Sequence, residues 1–420
     1  MSKFNLNFLE VITSLSNALD LVSIHRVNHG KRVASMALAC GKAMHWEMKR
    51  LDDLFLAAIL HDCGISKTNI FSRLTHFEVK NIDNHCVKGS ELLQRAPLLA
   101  NLSDYILHHH TSWAELIGLD LPDAVKIIAN CIYLHDRVDI LTLTALETGP
   151  ENILASRESI RKKIWAKRDN WFHPELVDHF LALSEPEAYW LALENVSSKN
   201  HCSPPIAHNS VQEIDFQDLK QIVLIFSHIV DAKCTYTLKH SDGVANLARC
   251  LGELFKRSEH NCDKLEIAGL LHDLGKLRIP DNILEKADQL TASEFFLIQR
   301  HSYDTDKILQ NISGFEDIAR WAGQHHECVD GSGYPYRCSA EQLSLEAKII
   351  TVADVFQALT QNRPYRDKIS LQDILQLLKK QVAEGKLDME VVGMVENNPM
   401  QCWNAANCLS PAAHALEVLA

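Results

Sequence analysis

Several things are missing from this chain of 420 residues, and each absence closes a line of interpretation. No stretch reaches the roughly 18 uninterrupted apolar residues that a membrane-spanning helix requires. No sustained basic run occurs, and the formal charge is −12. That balance argues against duplex DNA, RNA or an anionic membrane as the main partner, while leaving room for a small anionic ligand in a locally positive pocket. The 12 cysteines contain no Cys-x-x-Cys pair and follow no regular framework. Nothing at the start reads as a secretory signal, so reduced thiols in a cytoplasmic protein are expected. A GxSxG elbow and a GxxxxGK(S/T) phosphate loop are also lacking, which removes a serine nucleophile and a P-loop nucleotide cradle. Clean period-2 runs are few and Asn-Gly hairpin turns form no series, which speaks against a β architecture.

What is present reads as helix. Val244, Leu247, Leu251, Leu254 and Phe255 recur at the spacing of one helical face. Hydrophobic residues at 46% and charged residues at 23% are ordinary for a soluble globular chain, and the length suggests two or three domains. The composition changes once, at "VSSKNHCSPPIAHNS" (Val196–Ser210). The expectation is an all-α protein of two helical bundles, residues 1–195 and 213–420, joined by a Ser/Pro/Asn-containing linker over 196–212.

The two halves repeat one another. The second contains "KHSDGVA" with His240, "LLHDLGK" with His272 and Asp273, "RHSYDTDKIL" with His301, "HHECVDGSGYP" with His325 and His326, and "VADVFQAL" with Asp354. The first contains "NHGKRVA" with His29, "ILHDCGI" with His61 and Asp62, "NHCVKGSELL" with His85, "HHH" ending in His109 and His110, and "LHDRVDIL" with Asp136. In both halves 32 positions separate the first histidine from His-Asp, and 24 separate the third histidine from the His-His pair. The other two intervals differ by a few residues, as loops of unequal length would. Five motifs in one order indicate two copies of one helical domain.

Within each copy the polar residues continue apolar stripes. Ile318, Trp321, Ala322, His325 and His326 share one helix face, and Leu102, Tyr105, Ile106, His109 and His110 repeat the pattern in register. Buried polar groups need partners, and five imidazoles with two carboxylates are too many to satisfy one another. A metal centre accounts for them. Seven such ligands can hold two first-row ions with an aspartate between them, and ligand type leaves iron, manganese, cobalt, zinc and nickel open. No cysteine is expected at a ligand position in either half, which argues against a zinc–thiolate knot. Two close ions can lower the pKa of a water between them and clamp the oxygens of an in-line phosphoryl displacement.

On these residues the second half resembles an HD-GYP domain, the branch of the HD phosphohydrolases that hydrolyses bacterial cyclic dinucleotides. The match runs from about Asp231 to Arg366, through "LLHDLGKLRIPDNIL", "HHECVDGSGYP" and "NRPYR". The resemblance implies a first metal on His240, His272 and Asp354, and a second on His301, His325 and His326, with Asp273 bridging. It favours iron or manganese and implies in-line attack by a bridging hydroxide. It places Lys276 beside the scissile phosphate, as a catalytic residue with Asp273. Arg363 and Arg366 would hold substrate phosphates. Asp330, Gly331, Gly333, Tyr334 and Pro335 would shape the substrate mouth.

The departures from the family pattern are few. Gly243 replaces a common basic residue, and Gln357 a frequent second aspartate. Tyr236 stands where some relatives place a glutamate for a third metal, so two metals are expected. The first half resembles a degenerate HD domain: it keeps all seven ligand types as a second candidate metal site, but lacks Gly-Tyr-Pro and has Ile65 in place of the lysine. The substrate implied is cyclic di-GMP or 3′,3′-cyclic GMP-AMP, cut to the linear dinucleotide and open to further cleavage. Packing of the two domains together is expected, and homodimerisation is left open. The competing readings are an HD-type hydrolase of nucleotides or alarmones, and a non-catalytic cyclic-dinucleotide receptor.

Overall fold

The computed structural model describes residues 2–22, 28–67, 77, 84–148, 153–194, 211–233, 240–361 and 369–408. Arg363, Arg366, Tyr236 and nearly all of the expected linker lie outside the described residues. As expected, the protein is all-α apart from a two-stranded sheet of β1 (Lys3–Asn7) and β2 (Val211–Asp215). None of the described helices is long and apolar enough to cross a membrane.

The chain forms two compact units, Asn7–Val211 and Gln212–Ala420, the latter joined by Met1–Leu6. The first six residues therefore group with the C-terminal unit, unlike the division at the linker drawn from sequence. The physical reason is β1: Phe4 and Leu6 alternate inward at period 2, and Phe4 packs on Phe216 with ring centroids 6.4 Å apart.

The N-terminal unit contains α1 (Phe8–Leu19), α2 (His29–Ala43), α3 (Met48–Leu60), α4 (His85–Gln94), α5 (Ser103–Leu107), α6 (Trp113–Leu116), α7 (Asp123–Thr148), α8 (Ile153–Trp165), α9 (Pro174–Leu183) and α10 (Glu187–Glu194). The C-terminal unit contains α11 (Phe216–Asp231), α12 (His240–Leu254), α13 (Glu259–Leu271), α14 (Asp281–Leu284), α15 (Ala292–Leu309), α16 (Glu316–Gly323), α17 (Leu345–Thr360), α18 (Leu371–Ala383), α19 (Met389–Asn397) and α20 (Pro399–Asn407).

Local sequence sets the helix starts that matter for the site. Thr291 and Glu294 form a capping box at α15, which carries His301. Ser258 caps α13, which ends at His272, and Ser344 caps α17, which carries Asp354. In the core α12 packs on α13 and α17, and α15 on α16; α2 packs likewise on α3 and α7 in the other unit. Gly275 follows Asp273 by two positions, and a Cβ there would lie 2.1 Å from the His301 carbonyl oxygen. Gly64 has the same relation to His85 O at 2.0 Å, so each His-Asp turn approaches the third histidine only because that residue is glycine.

Candidate metal centre

In the C-terminal unit five of the seven expected ligands come from helix ends and two from mid-helix, and all seven meet in one cluster. His240 opens α12, His272 and Asp273 follow α13, His301 lies on α15, His325 and His326 follow α16, and Asp354 lies on α17. Asp273 stands between two histidine groups. Its Oδ2 is 3.2 Å from His272 Nε2 and 3.7 Å from His240 Nε2, and its Oδ1 is 3.5 Å from His301 Nε2 and 3.8 Å from His325 Nε2. Asp354 Oδ1 lies 3.1 Å from His240 Nε2, and its Oδ2 is 4.0 Å from His326 Nδ1.

The outer nitrogens are committed. His272 Nδ1 donates to Gly269 O at 2.8 Å, His301 Nδ1 to Ile298 O at 2.5 Å and His325 Nδ1 to Ala322 O at 2.6 Å. With the proton held on Nδ1, the Nε2 lone pair points into the cluster, the orientation that a ligating histidine needs. His272 Nε2 and Asp273 Oδ1 are buried without a hydrogen-bond partner among the described residues. Burial, and then the His326 charge, pushes the His301 pKa down to about 3. Burial lowers His326 to about 4 and His325 well below the usual range. Burial opposes charge on Asp273, but His272 and Lys276 outweigh it and hold its carboxyl well below the usual range. Neutral imidazoles at His301, His325 and His326, ionised carboxylates and orphaned inward atoms are a donor set that a divalent cation takes.

The other expected site residues surround this cluster. Lys276 lies on a 3₁₀ turn after the His-Asp pair, a quarter exposed, and donates to Asp273 Oδ2 at 2.5 Å. The Tyr334 ring packs on His326 at 4.9 Å, and its N–H donates to His326 O at 3.1 Å, so the loop with Pro335 folds over the His-His pair. Gly331 has φ +75°, and Gly333 lies against the Glu327 and Cys328 backbone with no room for a Cβ. Asp330 accepts from Lys386 Nζ at 3.0 Å and from the Ser332 N–H at 2.9 Å, anchoring the loop.

Three contributors escaped the sequence reading. Glu327 is buried and accepts backbone N–H bonds from Tyr336 at 2.6 Å, Arg337 at 3.1 Å and Cys338 at 3.0 Å, pinning the strap after Gly-Tyr-Pro. A buried acid directly after a His-His pair was the available signal. Phe295 packs edge-on against Tyr334 at 6.2 Å, and with Phe296 it leaves aromatic surface exposed beside the cluster. The third is Cys86.

The N-terminal unit gathers His29, His61, Asp62, His85, His109, His110 and Asp136 in the same arrangement. His29 Nε2 is 3.3 Å from Asp136 Oδ1 and 3.6 Å from Asp62 Oδ2, and His61 Nε2 is 3.5 Å from Asp62 Oδ2. His85 Nε2 and His109 Nε2 are 3.4 Å apart. No cysteine was expected at a ligand position, yet one thiol lies among the histidines here. Cys86 Sγ lies 3.5 Å from His85 Nε2 and groups with His85, His109 and His110. Its place directly after His85 on α4 concealed it, because a spacing argument follows the histidines alone. The equivalent residue in the other unit is Ser302, whose Oγ is 3.4 Å from His301 Nε2.

Comparison with known proteins agrees with this geometry. The HD domain family model matches residues 13–115 and 225–391. The chain is 34% identical to the 3′3′-cGAMP-specific phosphodiesterase 1 of Vibrio cholerae, over 98% of this chain and 96% of that protein. It is 28% identical to 3′3′-cGAMP-specific phosphodiesterase 3 of the same organism, over 88% and 90% of the two chains. The crystal structure of the V. cholerae cyclic GMP-AMP-specific phosphodiesterase V-cGAP3 shares the fold, with a TM-score of 0.62 at 24% identity over 97% of this chain and 99% of that one. With two histidine–aspartate clusters in two repeated helical units, and a Gly-Tyr-Pro loop over the second, the chain belongs to the HD-domain family, its C-terminal unit being of the HD-GYP type.

Proposed function

We propose that this chain is a metal-dependent phosphodiesterase of cyclic dinucleotides, with 3′3′-cGAMP its preferred substrate and the C-terminal unit its catalytic half. The observation that carries this reading is Asp273, whose two oxygens face two separate histidine groups while Lys276 stands beside it. His240, His272 and Asp354 would hold one divalent first-row ion, and His301, His325 and His326 the other, with Asp273 shared and iron or manganese favoured. Such ions supply Lewis acidity, lowering the pKa of a water and neutralising charge on phosphoryl oxygens.

The protein's own groups position the substrate. Lys276 offers a partly exposed ammonium where charge develops on a phosphate. Tyr334 and Phe295 present aromatic surface on which a base can stack. Both full-length relatives are specific for 3′3′-cGAMP by name, which favours that substrate over cyclic di-GMP. The N-terminal unit has neither the lysine nor the Gly-Tyr-Pro loop, so no hydrolysis is assigned to it.

The test is purified full-length protein with manganese or ferrous iron, incubated with 3′3′-cGAMP, cyclic di-GMP and an alarmone, with products resolved by chromatography. Conversion of 3′3′-cGAMP to a linear dinucleotide ahead of cyclic di-GMP is expected. Faster cleavage of the alarmone would make it a different HD hydrolase, and tight binding without turnover would make it a receptor.

A further inference from the structure

The N-terminal unit preserves the ligand pattern of the C-terminal one but differs from it around that pattern, and three of the differences act in one direction. The first is Arg137, directly after Asp136. It is fully buried and donates to Asp136 Oδ2 through its terminal and ε nitrogens at 2.6 and 3.0 Å. The corresponding residue after Asp354 is Val355, which carries no charge. A guanidinium already neutralises the carboxylate that would hold the first ion, so that pocket (His29, His61, Asp136) is poorly suited to a second cation.

The second difference is Cys86 in place of Ser302. Zinc bonds of about 2.05 Å to nitrogen and about 2.3 Å to sulfur, at tetrahedral angles, require edges of roughly 3.3 Å between nitrogens and roughly 3.5 Å from nitrogen to sulfur. His85 Nε2 and His109 Nε2 lie 3.4 Å apart, and Cys86 Sγ lies 3.5 Å from His85 Nε2. His109 Nδ1 donates to Ile106 O at 2.6 Å, which turns the Nε2 lone pair inward. The nearby Cys63 is not part of this group, because its thiol is directed at Gly89 O, 3.8 Å away.

The third difference is closure. His326 keeps 30% of its side chain exposed, whereas its counterpart His110 keeps 4%. His110 is covered by the edge-on ring of Tyr133 at 5.4 Å, which in turn stacks on Trp171. Four buried protein ligands, with no open mouth among the described residues, describe a structural rather than a catalytic metal site.

We infer that the N-terminal unit holds a single thiolate-ligated metal ion of the zinc class on His85, Cys86, His109 and His110, as a closed structural site in place of a two-metal catalytic centre. Among the described residues, the C-terminal groups able to hold metal contain only histidine and aspartate. A metal–sulfur signal that is lost with Cys86 therefore reports the N-terminal site, and it can be read without substrate, independently of the phosphodiesterase reading.

The full chain, stripped of metal and reloaded with cobalt(II) under reducing conditions, should show a near-ultraviolet thiolate-to-cobalt charge-transfer band. Cys86→Ser, which copies the Ser302 arrangement, should abolish that band while leaving C-terminal phosphodiesterase turnover unchanged. A band of undiminished strength in Cys86→Ser, or no band in cobalt-loaded wild type, overturns the assignment. X-ray absorption of zinc-loaded wild type and of Cys86→Ser gives a second readout. A sulfur neighbour at about 2.3 Å is expected in wild type and lost in the variant. A wild-type shell of nitrogen and oxygen alone, or sulfur retained in the variant, would refute the site.

Discussion

His240 donates through Nδ1 to Gln357 Oε1 at 2.6 Å, a neutral partner, whereas its counterpart His29 donates to the carboxylate of Asp139 at 2.7 Å. Asp139 is also gripped by Arg32, at 2.6 and 3.0 Å. Arg32 and Asp139 correspond to Gly243 and Gln357, so the two departures from the family pattern are one exchange of an ion pair for a glycine–glutamine contact. A Cβ on Gly243 would fall 2.7 Å from the Gln357 side chain and 2.5 Å from Ala406 O on α20. Gln357→Ala should therefore lower metal affinity about 10- to 100-fold, as loss of a ligand-orienting partner does. Gly243→Ala should destabilise the protein by about 1–3 kcal/mol through overpacking. Metal titration and denaturant unfolding measure the two effects, and unchanged values for both would remove Gln357 from its orienting role.

Lys276 touches Asp273 from the solvent side, so its contributions to binding metal and to stabilising substrate charge can be separated. Lys276→Ala should retain metal and lose about 100- to 1,000-fold in kcat, the scale of removing one preorganised donor. His272→Ala with Asp273→Ala should lose metal and turnover together while remaining helical by circular dichroism. Parallel metal loss in the lysine variant would make its role structural.

Glu327 holds three consecutive amides of the strap that follows the Gly-Tyr-Pro loop. Removing it leaves those donors without their charged acceptor, at a cost on the order of 3 kcal/mol. Glu327→Ala should lower the Tm and raise KM more than it lowers metal content, because the strap borders the substrate mouth and the metal ligands are carried by the helices and their ends. An unaltered KM would show that the strap does not shape that mouth.

The metal-free protein should be sensitive to pH where the metal-loaded protein is not. Burial opposes charge on His272, but Asp273 and Asp354 outweigh it and raise its pKa from 6.5 to about 9. His29 is likewise raised to about 9, with burial outweighed by Asp136 and Asp139. A folded pKa above the unfolded one contributes stability that is complete below about 6.5 and lost as pH rises through about 9. Asp273 and Asp354 are depressed, so their contributions stay constant across that window. Chelated protein should lose Tm between about pH 6.5 and 9, and manganese binding in that range should release protons. A flat profile in chelated protein would show that these imidazoles are neutral without metal.

Much of this protein could be read from sequence. The helical periods, the doubled motif order and the seven ligand-type residues of each half are local or evenly spaced features, and a helix turns spacing directly into a shared face. His325 and His326 continue an apolar stripe, so their inward direction was legible before any contact was known. The residues that tertiary structure alone revealed lie outside such periodicity. Cys86 becomes a candidate ligand because α4 meets the end of α5 at His109, and nothing in "HC" marks it apart from an ordinary buried thiol. Glu327 and Gln357 act on partners 9 to 11 and 117 positions away in sequence, through hydrogen bonds formed only once the helices have docked. Phe4 and Leu6 join the C-terminal unit because an edge strand pairs with whatever complementary edge folding brings beside it. Sequence determined which residues could act; packing decided which of them meet, because the distances that define a metal site are set between helices and not along them.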